Sequence, residues 1–238
     1  MIISRIISPF NAMDKFNAAT SVIDWTKSDA YHNSFLIPKD EVMEFALKNS
    51  IDKGLPDIAV SPAQGKLLNL LAQSVGAKHI LEVGTLGGYS SIWMGRALPK
   101  DGKLITLEIN ETHAKVAGEN FAKAGLGDKC EVILGPAYES MIGLRPKIPF
   151  DLVFIDADKR SYPKYFAEAK RLVKKGGVII VDNVVRYGQV NDMSVNDPDT
   201  VGIRELLAYI KQDKEVEATT IATVGERAFD GFLYAIRK

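Results

Sequence analysis

Apolar residues in this chain fall into short continuous runs separated by segments of helical period. Ile80–Val83, Lys103–Leu107, Glu131–Leu134, Leu152–Ile155 and Val178–Val181 are brief and rich in β-formers, as expected of strands buried on both faces. Helices are predicted between them at Tyr89–Leu98, Glu111–Lys123, Ala137–Leu144 and Tyr162–Val173. Alternation of this kind predicts an α/β fold, a parallel sheet with helices on both faces. After a polar loop at Arg186–Thr200 and a helix at Val201–Lys211 come two last strands, Glu217–Thr223 and Phe229–Ile236. The short turn Val224–Arg227 between them requires that they pair antiparallel.

Residues 1–57 lack this rhythm. Helices are expected at Asp14–Thr26 and Asp40–Lys53, joined by the polar stretch Thr26–Ser34 and by Pro38. We read them as a helical extension that covers an acceptor site or contacts a second subunit, with the main domain at 58–238. Ser61–Pro62 then predicts a capped helix start with proline in the first turn. The opening MIISRIISPF has helical spacing but carries Arg5 and Pro9, so it reads as a packing element, not a secretory or mitochondrial leader.

The chemistry gathers where strands end. Phe150–Lys159 reads FDLVFIDADK: a buried strand runs directly into Asp156, Asp158 and Lys159. Gly177–Asn183 repeats the event, with Asp182 and Asn183 after the strand. Ligands of open α/β sheets sit at such carboxyl ends. If the two strands are neighbours, Asp156, Asp182 and Asn183 converge as three hard oxygen donors, a set suited to a divalent cation. Asp also caps helices at strand-to-helix turns, and one acidic strand end would mean no more than that. Two, one of them doubled with Asn, weigh toward a cation.

Composition narrows the choices. Thirty basic and thirty acidic side chains cancel, which argues against a general nucleic-acid binder. No run is apolar and long enough to span a bilayer. The single cysteine, Cys130, excludes an intrachain disulfide and fits a reducing, cytoplasmic compartment. At the start of a predicted strand, it reads as a buried structural thiol. His32, His79 and His113 stand in no ligand spacing and read as structural or exposed. Trp25 and Trp93 fit helix packing.

A second site signal is EVGTLGGYS at 82–90. Its glycines allow backbone to approach a ligand closely at a strand-to-helix turn. It has neither the GxGxxG spacing of a dinucleotide fingerprint nor the GxxxxGK[ST] of a P-loop. Glu108 ends the next strand, where an acidic residue meets ribose hydroxyls in nucleotide-binding α/β folds. Glu82 ends an apolar strand, where an unpaired carboxylate is costly and a ligand ammonium or hydroxyl would satisfy it. Carboxylates and small residues with no lysine or arginine suit a cationic, zwitterionic nucleoside, S-adenosylmethionine, better than a pyrophosphate.

Together EVGTLGGYS, LEIN, GPA at 135–137, FIDADKRSY and VDN resemble the cation-dependent O-methyltransferases of the caffeoyl-CoA and catechol type, over roughly Val60–Val190 and more weakly FDGFLYAI. The resemblance implies a Rossmann-like S-adenosylmethionine-dependent methyltransferase fold, with a mostly parallel seven-stranded sheet and an antiparallel last strand. It implies Asp156, Asp182 and Asn183 as ligands of Mg²⁺ or another divalent cation such as Mn²⁺ or Ca²⁺. Val60, Glu82, Gly84, Thr85, Ser90, Glu108, Ala137 and Asp156 match positions that hold S-adenosylmethionine. Lys159 matches a general base, and the family is commonly homodimeric. Plant members carry Trp and Asn after the DN pair. Arg186 and Tyr187 stand there in this chain and are the candidate acceptor contacts.

The expected reaction is methyl transfer to one hydroxyl of a vicinal-dihydroxy aromatic, a catechol-like molecule or a caffeoyl ester. Mg²⁺ takes about six oxygen ligands and usually keeps some from outside the protein, leaving places for a catechol's adjacent hydroxyls. Lys159, three residues after Asp156, is close enough to take the acceptor proton. The plainer alternative is a solvated lysine paired with Asp158; the base role is the reading kept. The rival readings are an NAD(P)-dependent oxidoreductase on a similar sheet and a non-catalytic S-adenosylmethionine-binding protein. No nucleic-acid or membrane partner is expected.

Overall fold

The computed structural model describes residues 20–238; the opening MIISRIISPF and the first part of the expected helix at Asp14–Thr26 lie outside them. Strands β1 (His79–Val83), β2 (Lys103–Glu108), β3 (Cys130–Leu134), β4 (Phe150–Ile155), β5 (Val173–Val181), β6 (Val216–Gly225) and β7 (Ala228–Arg237) form one sheet in the order β3-β2-β1-β4-β5-β7-β6. β1 pairs in parallel with β2 and β4, and β7 runs antiparallel to both β5 and β6. The last strand is therefore the one that opposes the rest. Chain direction across the sheet reverses between β1 and β4, the topological switch point of an open α/β sheet.

Side-chain alternation builds the two faces. On β4, Leu152 and Phe154 join a core with Leu68, Ile92 and Phe121, from helices α3 (Pro62–Ser74), α4 (Tyr89–Ala97) and α5 (Glu111–Lys123). Val153 and Ile155 join the opposite core with Met141, Phe166 and Leu206, from α6 (Ala137–Gly143), α7 (Tyr162–Leu172) and α8 (Pro198–Gln212). All six β4 residues are buried: the apolar run Leu152–Ile155 as expected, and Asp151 because it accepts the Lys78 and His79 N–H groups and pairs with Lys174. Cys130 is buried as expected, and burial pushes its thiol up to about 12. Among the described residues no helix is long and apolar enough to cross a membrane.

Three expectations about elements are corrected. The first described helix, α1, runs Val22–Leu36 and absorbs the supposed linker Thr26–Ser34. Ser21 and Asp24 form a capping box that starts it there, and polar residues are tolerated because none of its side chains is buried. β5 begins at Val173, with an irregular register before Leu152 pairs with Val178. α8 starts three residues early, at Pro198, because Asp197 caps it. The second helix, α2 (Glu41–Asp52), matches its expected span and is capped by Asp40.

Candidate functional site

The carboxyl ends of β1, β2, β4 and β5 open into a cavity of about 980 Å³. Val60, Gly84, Thr85, Ser90, Glu108, Ala137, Asp156, Lys159, Asp182, Asn183 and Tyr187 all line it. Glu82 and Arg186 do not.

Gly84 forms the seam between β1 and β4. Its φ is +98°, and a Cβ there would lie 2.0 Å from the Asp156 carbonyl oxygen. Only glycine lets these two strand ends approach so closely. The loop that follows is braced from behind: Asn120 on α5, fully buried, donates to the Gly87 carbonyl at 2.8 Å. No side chain caps the start of α4 at Gly88.

Glu108 closes the β2 side. One of its oxygens accepts backbone N–H groups of Thr85 and Leu86 at 3.3 and 2.9 Å, the other those of Ile109 and Asn110 at 3.0 and 2.9 Å. Four donors fix the carboxylate at the wall. His113 was expected to be uninvolved; it lines the same wall with Nδ1 3.6 Å from Glu108, brought there by one turn of α5.

Glu82 corrects an expectation. Its carboxyl is fully buried behind the cavity, yet it has partners: the Ser90 hydroxyl donates to it at 2.5 Å, and the Ser91 hydroxyl donates to its other oxygen. Burial raises its pKa to about 7, against the lowering effect of those hydroxyls. No ligand is needed to satisfy it. What it does instead is hold Ser90, which lines the cavity, by its hydroxyl.

Asp156 and Asp182 follow the paired residues Ile155 and Val181 of β4 and β5, so parallel register sets them side by side. Asp182 is buried, and that burial, with Asp156 beside it, raises its pKa to about 7. Its Oδ2 accepts from Gln64 Nε2 at 2.6 Å and its Oδ1 from the Asn183 N–H at 2.8 Å. The Tyr162 hydroxyl donates to its carbonyl at 2.8 Å. Asn183 sits in the left-handed region, φ +53°, a strained backbone of the kind found at functional sites. Lys159 Nζ lies 2.8 Å from Asp156 Oδ1 and is only 15% exposed. The solvated pair with Asp158 is thereby excluded: Asp158 accepts from the Tyr165 hydroxyl at 2.5 Å instead.

The acceptor candidates separate. Tyr187 stands at the cavity mouth, 66% exposed. Arg186 turns away toward α8, 3.8 Å from Asp197 and 3.9 Å from Asp199. Successive positive φ values at Arg186 and Tyr187 send the two side chains apart. Gln64, Tyr162, His113, Asp57 and Arg227 belong to the site or support it and were not singled out from the sequence. Each is a common residue in a helix or turn, with no local pattern to mark it.

The geometry has counterparts among known proteins. Residues 32–237 match the O-methyltransferase family. A catechol O-methyltransferase of Niastella koreensis is 44% identical over 216 residues, covering 88% of this chain and 96% of the relative. Another, of Mycobacterium tuberculosis, is 44% identical, covering 87% and 94%. Among solved structures, the O-methyltransferase from Bacillus cereus in complex with SAH superposes with a TM-score of 0.90 at 45% identity, covering 92% of this chain and 100% of that one. TomG from Streptomyces achromogenes, an O-methyltransferase in complex with SAM, gives 0.89 at 41% identity, with the same coverage. A glycine seam, a clamped acidic residue at the end of β2 and paired acidic strand ends thus occur here in a sequence matched along nearly its whole length, and the chain belongs to the O-methyltransferase family.

Proposed function

We propose that this chain transfers a methyl group from S-adenosylmethionine to one hydroxyl of a vicinal-dihydroxy aromatic, with the help of a divalent cation. The observation that carries the reading is the meeting of Asp156, Asp182 and Asn183 in the same cavity as the glycine seam and Glu108. Family membership sets aside the hydride-transfer alternative.

The donor half suits a cationic nucleoside. Glu108 is held where ribose hydroxyls can donate to it, Ala137 offers a small wall for a base, and Ser90 and Asp156 present oxygens to an ammonium. Glu82 acts through Ser90. The relatives solved with SAH and SAM support this assignment.

The other half fits a hard cation. Among the described residues no group of three or more His, Cys, Asp or Glu surrounds one point; the set is two carboxylates and one amide, all oxygen donors, as Mg²⁺, Mn²⁺ or Ca²⁺ prefer. Asp156 and Asp182 repel each other in a poorly solvated place, and positive charge relieves that repulsion. A divalent cation held there supplies Lewis acidity that makes an adjacent hydroxyl more acidic. Lys159, beside Asp156, takes the acceptor's proton once the bound cation has replaced it as that carboxylate's partner and it stands as the neutral amine. The seam then orients acceptor oxygen and donor methyl, so the rate rests on positioning and electrostatics. Tyr187 covers the aromatic ring. A homodimer and a cytoplasmic setting complete the reading.

The test is methyl transfer from labelled S-adenosylmethionine to a panel of catechols and caffeoyl esters, with Mg²⁺, with Mn²⁺ and with a chelator. Turnover lost to the chelator and restored by metal is expected. Chelator-insensitive turnover would overturn the cation's role; donor binding without turnover on any diol would point to a binding protein.

A further inference from the structure

We infer that Arg227 recognises a carboxylate on the acceptor, and that Asp29 on the N-terminal helix positions it for that task. The inference rests on the reading that the cavity holds the acceptor. Arg227 lies in the β6–β7 turn and lines the cavity wall, together with Asp57 from the loop before α3. Its Nη1 donates to the Asp57 carbonyl at 3.1 Å and its Nη2 to Asp57 Oδ1 at 2.9 Å. Those bonds occupy the far end of the guanidinium. The side edge, Nε–H with the adjacent Nη–H, has no partner among the described residues, and the side chain is 42% exposed. A planar fork held at one end and open at the other is preorganised for a bidentate carboxylate.

The neighbouring acids are held in place. Asp57 pairs with the end of the Arg227 guanidinium and leaves its side edge to a ligand, and Asp29 is turned onto the Glu226 N–H. Asp230, also on the wall, accepts the backbone N–H groups of Val185, Arg186 and Gly231 at 3.1, 2.8 and 2.9 Å, which stabilise its charge and turn it toward the loop. The wall's other cations face elsewhere: Lys159 lies 2.8 Å from Asp156, Arg160 3.7 Å from Asp199, and Lys164 over the Tyr138 ring.

The turn that carries Arg227 is fixed from a distant part of the chain. Asp29 Oδ2 accepts the Glu226 N–H at 2.9 Å. The same oxygen presses on Gly225, where a Cβ would meet it at 2.4 Å. No side chain of α1 is fully buried and Asp29 is half-buried; its bond to Glu226 ties the helix to the turn that carries Arg227. Asp29 is thus a positioning residue for Arg227.

The experiment measures calorimetric affinities of caffeate and methyl caffeate for the full chain saturated with S-adenosylhomocysteine, in Mg²⁺. The two ligands share ring, hydroxyls and reach and differ in the carboxylate charge. Arg227→Gln is expected to weaken caffeate about tenfold and to leave methyl caffeate unchanged. Asp29→Ala is expected to weaken caffeate several-fold, with rescue by Asp29→Asn, whose side-chain oxygen still accepts the Glu226 N–H. Equal losses for both ligands, or none for either, would overturn the roles of Arg227 and Asp29 alone. Absence of methyl caffeate binding to the unaltered chain would overturn the acceptor reading and this inference together.

Discussion

Gln64 Nε2 donates to Asp182 Oδ2 at 2.6 Å, across 118 residues of sequence. With the Tyr162 hydroxyl on its carbonyl, Asp182 is held at both ends, so it cannot swing away from Asp156 to relieve their repulsion. The pair is a preset demand for positive charge. Adding Mg²⁺ to the metal-free chain should raise its melting temperature by about 5–10 °C at a hundredfold excess over Kd, through the linkage of binding to stability. Asp182→Ala should abolish that shift, cut methyl transfer at least about a hundredfold and leave donor affinity near normal. Calorimetric scans with and without chelator read the first outcome and a labelled-methyl assay the second.

Gly84→Ala should be among the most damaging single substitutions in the chain. It forces a side chain into φ +98° and toward the Asp156 carbonyl, at a cost of about 3 kcal/mol or more. Urea unfolding would show a lowered midpoint. Donor affinity should fall as well, because the strand ends must part.

The buried Glu82 makes stability depend on pH. Its folded pKa is raised from 4.5 to about 7, so the folded state holds the proton that the unfolded state gives up. Below pH 4.5 both states are protonated and nothing is lost. Between pH 4.5 and about 7 stability falls as pH rises, by on the order of 3 kcal/mol in all, and above that window the loss is constant. Glu82→Gln removes this dependence, so the variant should gain on the parent chain as pH climbs from 5 to 8. Denaturant unfolding at those two pH values measures it; parallel curves for the two proteins would refute the assignment.

Arg204 organises the loop that presents Tyr187. Its guanidinium donates to the carbonyls of Val190 at 2.8 Å, Val195 at 2.7 Å, Gln189 at 3.1 Å and Asp192. Arg204→Met keeps much of the stem's packing and releases four carbonyls. Amide exchange across residues 186–195 should quicken, acceptor KM should rise several-fold, and donor affinity should stay as it was.

Most of the sheet was legible because its strands are buried on both faces and so carry unbroken apolar runs. Phe150–Ile155 could be read almost residue by residue. Asp156 and Asp182 could be paired in advance because parallel register carries adjacent strand ends to one place. The residues that were missed act through tertiary contact. Gln64 and Arg204 are ordinary polar residues on helices, and nothing local says that one meets Asp182 and the other gathers a loop. Glu82 was half legible: burial of a carboxylate was foreseen, but its two serine partners lie in the first turn of the following helix, where nothing local points them back at β1. α1 was misplaced because a polar helix with no buried face carries no apolar period, and its capping box alone marks the start.

The reversal of chain direction between β1 and β4 has a consequence for how this protein can change. The residues assigned to touch the donor, Asp156 excepted, come from 60–137, on one side of that reversal, and those assigned to touch the acceptor from 156–187 and the β6–β7 turn, with Asp29 and Gln64 as the outlying supports. The two specificities are written in largely separate stretches of the gene. Recombination or mutation can therefore rewrite what is methylated while the methyl source stays the same, with Gly84 and Asp156 as the hinge pins that neither rewriting is free to alter.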